Sequence, residues 1–129
     1  KRCRERQKND PKYKLIHNMR TCILRALKAK GASKNKRTME YLGCTIEYLY
    51  NYIEEQFTEG MSWDNQGAWE IDHRRSCSSF TFNTEEEKIM CFHYTNLQPL
   101  WKPENRAKSS KFDPETFTHR WTGNCWVEK

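Results

Sequence analysis

WEIDH, at residues 69–73, is the segment that decides the fold, and LQPLW at residues 97–101 and PENRAK at residues 103–108 complete it. The first two segments predict short β-strands bounded by polar loops. Pro99 assigns the second strand to an edge, because proline has no N–H to donate to a strand ladder. Pro103 is typical of the first turn of a helix, which we expect to run to about Ser110. The chain therefore predicts two short strands followed directly by a helix.

Alternation along the first strand sets a condition on its last residues. Successive side chains of a strand point to opposite faces, so Trp69, Ile71 and His73 share one face and Glu70 and Asp72 share the other. Asp72 and His73 can converge on one ligand only where the strand ends or twists sharply. We therefore predict that regular pairing stops near His73.

His73, Asp72 and Asn105 are of the types that phosphodiester hydrolysis uses. Histidine exchanges its proton nearest neutral pH, so His73 suits the role of general base. Asp72 offers a hard anionic oxygen and Asn105 a neutral carbonyl oxygen for one Mg²⁺ ion, which usually keeps several waters. Asn105 lies in the first turn of the predicted helix, where the helix dipole attracts phosphate. Lys108 shares its face three residues on.

Each of these residues also has a simpler interpretation. A single histidine is more often a hydrogen-bonded structural residue, and Asp72 could form a surface ion pair with Arg74 or Arg75. Asn105 could be an amide on a helix surface. Asn96 is more typical of an amide that bonds the backbone near a tight connection than of a ligand. The combination of these residues, rather than any one of them, favours catalysis.

A long helix is predicted near the amino end of the chain. Asp10 and Pro11 fit a cap and first turn, and Gly31 fits the position after the last turn. A basic loop at residues 32–37 follows. Apolar residues recur along the helix at spacings of three and four, namely Leu15, Met19, Cys22, Ile23, Ala26 and Leu27.

Three further helical segments are predicted from their caps and turn residues. Thr45 begins a helix that we expect to end at Gly60. Thr84, followed by three glutamates, fits a capping box. An Asp-Pro-Glu sequence begins a helical segment within residues 113–129, with Gly123 as its end.

Positive charge is concentrated at the amino end. The formal net charge is +6, but residues 1–40 carry 14 Lys and Arg against 3 Asp and Glu, whereas residues 41–129 carry 9 against 14. Such an arm predicts a polyanionic partner, since each contact of a basic side chain with phosphate releases counterions. A solvated basic surface is the simpler alternative. On the predicted first helix, the candidates for phosphate contact are Arg20, Arg25 and Lys28.

Length and composition limit the classes of protein that fit. With 129 residues, the chain has room for one compact domain with a modest core. No apolar run approaches the ~20 residues needed to cross a bilayer, so no membrane partner is expected. The six cysteines show no CxxC spacing, and no zinc site can be predicted from their order. Without a secretory signal, we expect reduced thiols, several of them buried.

Residues from about 11 to 111 resemble an HNH nuclease, the ββα-metal finger found in homing, restriction and phage-borne endonucleases. The resemblance is carried by IDH at residues 71–73 and FHYTNLQPLW at residues 92–101, with LGCT at residues 42–45 and ENRAK at residues 104–108 beside them. These motifs are typical of a subgroup common in phage and large-virus genomes. The resemblance implies an α+β, mainly helical fold, with a two-stranded antiparallel hairpin followed by a helix.

The resemblance implies a role for each matching residue. His73 matches the general base and Asp72 the aspartate that binds the metal. Asn105 matches a further metal ligand, which is histidine in some members and asparagine in others. Asn96 matches an asparagine that ties the loop between the strands. One Mg²⁺ or Mn²⁺ ion per active site, a 5′-phosphate and a 3′-hydroxyl are implied.

One position departs from the pattern of the subgroup. A proline usually stands three residues after the histidine, and here Ser76 stands there, after Arg74 and Arg75. The departure concerns the conformation of the loop. Two arginines directly after the base would be suited to holding a phosphate.

We expect one compact domain of four parts. These are a basic arm and helix that contact DNA at residues 1–40, a packing helix and loop at 41–68, the ββα-metal core at 69–112 and the helical segment at 113–129. The expected function is Mg²⁺-dependent cleavage of double-stranded DNA, one strand per active site, so that a homodimer or an additional domain would be needed to cut both strands. A non-catalytic DNA-binding module and an RNase on the same scaffold are the alternatives. We expect a phage or viral origin and an intracellular location, cytoplasmic or nuclear.

Overall fold

The computed structural model describes residues 10–108 and 110–129, so the first nine residues of the predicted basic arm lie outside it. The described chain is α+β and mainly helical, as expected, with two separate antiparallel strand pairs. The helices are α1 (Pro11–Ala29), α2 (Thr38–Leu42), α3 (Ile46–Glu55), α4 (Glu85–Phe92) and α5 (Lys102–Ala107). The strands are β1 (Trp69–His73), β2 (Leu97–Trp101), β3 (His119–Trp121) and β4 (Trp126–Glu128).

Helix α1 begins and ends where its caps predict. The Asp10 carboxylate accepts hydrogen bonds from the backbone N–H groups of Lys12 and Tyr13, at 3.0 and 3.4 Å. Pro11 occupies the first turn, where its missing N–H would have no partner in the helix. Gly31 follows the helix with a φ of 69°, a conformation that glycine adopts without steric cost. The inner stripe of the helix consists of Leu15, Met19, Ile23 and Leu27.

Helix α1 joins the two apolar clusters of the protein. Its first two inner residues, Leu15 and Met19, pack with apolar residues of α2, α3, β1 and β2. Its last two, Ile23 and Leu27, pack with apolar residues of α2, α4 and β4. Within the part of the chain that the structure describes, no helix is long and apolar enough to cross a membrane.

The turn between α2 and α3 has the predicted cap, but α3 is shorter than predicted. Gly43 connects the helices with a φ of 75°, and the hydroxyl of Thr45 accepts a hydrogen bond from the N–H three residues on, at 3.1 Å. Helix α3 ends at Glu55 and not at Gly60. After the helix, the ring of Phe57 packs against the rings of Trp63 and Trp69.

Strands β1 and β2 pair in antiparallel register, with Trp69 opposite Trp101 and His73 opposite Leu97. Regular pairing ends at His73, as predicted. Helix α5 follows β2 without a loop and packs against both strands. It begins at Lys102 and ends at Ala107 rather than near Ser110. The order strand, strand, helix predicted from the sequence is therefore confirmed.

The sequence predicts a helical segment within residues 113–129, and this prediction is wrong. Strands β3 and β4 form an antiparallel hairpin. The hairpin is closed by a two-residue turn in which Gly123 has a φ of 103° and the Thr122 N–H donates to the Cys125 carbonyl at 2.9 Å. Glycine at the first position of such a turn matches the twist of paired strands. The hairpin also buries Trp126, which is 6% exposed, in the second apolar cluster.

We expect Gly43→Ala to lower the free energy of unfolding more than Gly31→Ala does. Both glycines have positive φ, where an alanine costs about 1–2 kcal/mol. Only at Gly43 would the new Cβ lie 2.7 Å from Nε2 of His93, which adds an overpacking cost of about 1–3 kcal/mol. His93 cannot easily withdraw, because it is 7% exposed and its Nδ1 lies 2.8 Å from the Thr95 hydroxyl. Urea denaturation of both variants gives the comparison, and equal losses would contradict it.

Candidate functional site

Strand alternation turns Asp72 toward helix α5. Its carboxylate accepts a hydrogen bond from Nε2 of Gln98 on the neighbouring strand, at 2.8 Å. It also forms an ion pair with the Lys108 ammonium, whose Nζ lies 2.8 Å from Oδ2 and 3.1 Å from Oδ1. Asp72 is 7% exposed. A nearly buried carboxylate is thus held by one amide and one cation.

The ammonium of Lys108 lies within a group of oxygen atoms. Besides both carboxylate oxygens of Asp72, it donates to the backbone carbonyls of His73 and Arg74, the latter at 3.1 Å. These oxygens form a pocket of negative potential at the end of β1 that holds a positive charge. Lys108 was expected to contact phosphate, but in this structure it holds Asp72.

Asn105 lies on the same face of the β1–β2 sheet as Asp72. Its Nδ2 donates to Oε1 of Glu70 at 2.9 Å, so Glu70 and Asp72 both face α5. The two predicted metal ligands, Asp72 and Asn105, therefore lie on the same side of the sheet. Lys108 follows Asn105 by three residues on that side. Glu70 was not among the predicted site residues. Glu70 lies two residues before Asp72 on β1, and this spacing was the sequence signal that the two side chains share one face.

His73 points away from this face. Its ring packs against the ring of Phe92 in α4, with centroids 5.9 Å apart. The thiols of Cys22 in α1 and Cys77 in the following turn lie beside it, and the three potential ligand atoms are all within 4.8 Å of one another. Nε2 of His73 is buried and has no hydrogen-bond partner among residues 10–108 and 110–129. The expected convergence of Asp72, His73 and Asn105 on one point is therefore not present in this structure.

Asn96 ties the chain that follows β1. It is fully buried, and its Oδ1 accepts from the backbone N–H of Arg75 at 2.9 Å. Its Nδ2 donates to the carbonyls of Arg75 and Cys91, at 3.1 and 2.9 Å. These bonds satisfy buried polar groups that would otherwise destabilise the fold. They join the end of β1 to helix α4.

Arg74 and Arg75, which the sequence suggests for phosphate binding, are both engaged within the protein. The Arg74 guanidinium donates to Oε1 of Gln98 at 2.9 Å and to Oε1 of Gln56 at 2.6 Å. The Arg75 guanidinium lies between two phenylalanine rings, about 4 Å from each centroid, and donates to Ser79. Both arginines nevertheless line an open cavity of about 320 Å³, so their outer edges remain accessible to an anion.

The loop at Ser76, where the resemblance to HNH nucleases predicts a proline, forms a short turn. The Ser76 hydroxyl donates to the backbone carbonyl of Ser110 at 2.7 Å. Residues Cys77–Ser79 then form one turn of 3₁₀-helix. A serine hydroxyl thus fixes the loop here by a hydrogen bond.

The basic residues of α1 lie on its outer side. Arg20, Arg25 and Lys28 are all exposed, outside the apolar stripe that packs in the core. They lie in the second half of the helix, which carries no acidic residue between Pro11 and Ala29. The three basic side chains are therefore accessible from solvent.

Two curated proteins of Acanthamoeba polyphaga mimivirus are similar to the chain. "Uncharacterized protein L246" is 37% identical over 109 residues, which cover 84% of this chain and 47% of that protein. "Uncharacterized protein L426" is 39% identical over 115 residues, which cover 88% of this chain and 50% of that protein. The chain spans about half the length of these curated relatives, and their source supports the expected viral origin. No protein-family model matches the chain, and no solved structure matches it.

We expect Lys108→Met to lower the free energy of unfolding by about 1–3 kcal/mol, because it leaves the buried Asp72 carboxylate without its cation. The double variant with Asp72→Asn should be less destabilised than the sum of the two single variants, since neither charge is then left unpaired. Lys102→Met, at an exposed position of helix α5, is the control and should change little. Urea denaturation of the four proteins completes the cycle. Strictly additive losses would show that Asp72 and Lys108 do not interact.

Proposed function

We propose that this protein is a metal-dependent endonuclease with the ββα-metal architecture of the HNH nucleases. One observation carries the proposal. The sequence motifs of that family fall on an antiparallel strand pair followed directly by a helix, with Asp72 and Asn105 on the same face. The hydrogen bonds of Asn96 to both polar backbone groups of Arg75 support the assignment of this residue to the loop-tying position.

The residues around Asp72 fit a hard divalent cation such as Mg²⁺ or Mn²⁺. A carboxylate and two backbone carbonyls already surround the Lys108 ammonium, and oxygen donors of this kind are the ones that Mg²⁺ prefers. Asp72 would bind the ion and Asn105 would contribute its amide oxygen. Bound there, the ion would stabilise negative charge on the phosphate and the leaving oxygen. Lys108 would then be displaced, and its long side chain would be free to contact a phosphate.

His73 is the proposed general base, and this role requires its ring to move. In the structure the ring lies on the face opposite Asp72. His73 is the last paired residue of β1. Within residues 10–108 and 110–129, Nε2 of His73 has no hydrogen-bond partner. Turning the ring therefore breaks no hydrogen bond at that atom. We infer that His73 turns toward the scissile phosphate when DNA and metal are bound.

Double-stranded DNA is the proposed substrate. The exposed side of α1, with Arg20, Arg25 and Lys28, would contact phosphates along the duplex. Arg74 and Arg75 line a cavity beside Asp72 and would hold phosphates nearer the cleavage site. These contacts are to the backbone and carry no base information, so matched DNA and RNA duplexes are needed to separate a DNase from an RNase.

A non-catalytic DNA-binding module is the second candidate. Two observations favour it, because each shows an arrangement that would have to change before the protein could cut DNA. Lys108 occupies the position proposed for the metal ion, and His73 faces the thiols. If both arrangements persist when DNA is bound, the basic surfaces would bind DNA without cutting it.

A plasmid-nicking assay tests the proposed nuclease. We expect the protein to nick supercoiled DNA with Mg²⁺ or Mn²⁺ and to lose this activity with EDTA. His73→Ala and Asp72→Asn should each reduce the rate by at least about 100-fold, since each removes a group that acts in the transition state. His17→Ala, on α1 and outside the proposed site, is the matched control and should cut at the parent rate.

Two results would count against this function. Nicking by His73→Ala at the parent rate would show that another group activates the water. Binding of DNA with a steep dependence on salt, but no cleavage in either metal, would support the binding module instead.

A further inference from the structure

Four potential soft ligands meet at the face of β1 opposite Asp72. The ligand atoms of Cys22, His73 and Cys77 all lie within 4.8 Å of one another, and Sγ of Cys91 lies 3.2 Å from Sγ of Cys77. These residues come from α1, β1, the 3₁₀ turn and α4. Their sequence spacing contains no metal-binding motif, which is why the order of the cysteines did not reveal the cluster.

The spacing of these atoms is close to that of a zinc site. Ligands held tetrahedrally at the usual Zn–S and Zn–N lengths are about 3.4–3.8 Å apart. Contraction of the group from at most 4.8 Å to this spacing needs side-chain shifts of about 1 Å, within the reach of a rotamer adjustment. Three cysteines and one histidine are also a common ligand set of zinc in proteins.

The chemical state of the cluster is compatible with metal binding. The five cysteines that the structure describes are free thiols. A divalent ion would displace a proton from each of Cys22 and Cys77, and the two thiolates would balance its charge. Nε2 of His73, which lacks a partner within residues 10–108 and 110–129, provides a neutral donor.

A cavity borders this cluster. It has a volume of about 260 Å³ and is lined by Cys22 and His73, together with polar residues of α1 and of the loop before β1 such as Asn18 and Gln66. The cavity gives a metal ion an approach to two of the proposed ligands. Cys91, which is fully buried, lies on the inner side of the cluster and is the nearest donor for a fourth position.

We propose that Cys22, His73 and Cys77 form a binding site for one thiophilic divalent ion, of which Zn²⁺ is the type, with Cys91 beside it at the fourth position. The site is distinct from the oxygen-lined site at Asp72. It also has a consequence that rests on the proposed nuclease function. An imidazole bound to zinc cannot accept a proton from water, so occupation of this site would inhibit cleavage.

Co²⁺ and Zn²⁺ binding to the metal-free, reduced protein test the site directly. We expect Co²⁺ to give a thiolate charge-transfer band in the near ultraviolet at one ion per chain, and Zn²⁺ to remove it. Competition with a chromophoric chelator should give a dissociation constant for Zn²⁺ below about 1 µM. Cys22→Ser and Cys77→Ser should each weaken binding by at least about 10-fold, whereas Cys44→Ser, a half-buried cysteine elsewhere in the chain, should bind like the parent.

The outcomes separate the metal site from the nuclease. Absence of the charge-transfer band in the parent, or parent-like binding by Cys22→Ser, would overturn the site. Circular dichroism of each variant shows that it is folded, and an increase of the parent's Tm by Zn²⁺ that Cys22→Ser loses gives a second readout. In the nicking assay, one equivalent of Zn²⁺ should inhibit the parent and spare Cys22→Ser. If the protein cuts no DNA but shows the cobalt band, the metal-site proposal stands and only the nuclease proposal is wrong.

Discussion

The antiparallel pairing of β1 with β2 is the constraint on which the rest of this structure depends. Because pairing is regular as far as His73 and Leu97, side chains of β1 must alternate between two faces. Asp72 is directed to α5, where Lys108 holds it. His73 is directed to α1 and α4, where thiols and an aromatic ring surround it. Two neighbours in sequence therefore lie in different chemical environments.

Asn96 limits how this alternation can be relieved. Its side chain bonds both polar backbone groups of Arg75, and its carbonyl accepts from the Arg74 N–H at 2.7 Å. The backbone after His73 is thus held against β2 and α4. The Cα–Cβ bond of His73 points to the face opposite Asp72, so its side-chain torsions alone do not carry the ring across the sheet. The proposed role of His73 as a base therefore requires the backbone at the end of β1 to turn as well.

Elements defined by local chemistry could be predicted from the sequence. Asp10 and Thr45 cap their helices with their own side chains, and Pro99 was correctly assigned to a strand of a two-stranded sheet. The hairpin of residues 119–128 could not be predicted in the same way. Asp-Pro-Glu is a good helix start, but burial of Trp126 among residues from α1 and α4 outweighs that local preference. The same holds for the candidate site. Its residue types could be predicted from the sequence, but the contacts of Lys108 and His73 could not, because their partners come from distant segments.

The two faces of β1 differ in the kind of cation that they suit. Around Asp72, the donors are carboxylate and carbonyl oxygens, which are hard and favour Mg²⁺. Around His73, the donors are sulfur and imidazole nitrogen, which are softer and favour Zn²⁺. Asp72 and His73 are consecutive residues of β1, but their side chains lie on opposite sides of the backbone. One ion therefore cannot bind ligands from both faces. Selectivity between the two proposed metal sites would then follow from the alternation itself. His73 is the one side chain that both chemistries require, so a soft ion on its face would compete with its proposed role on the other.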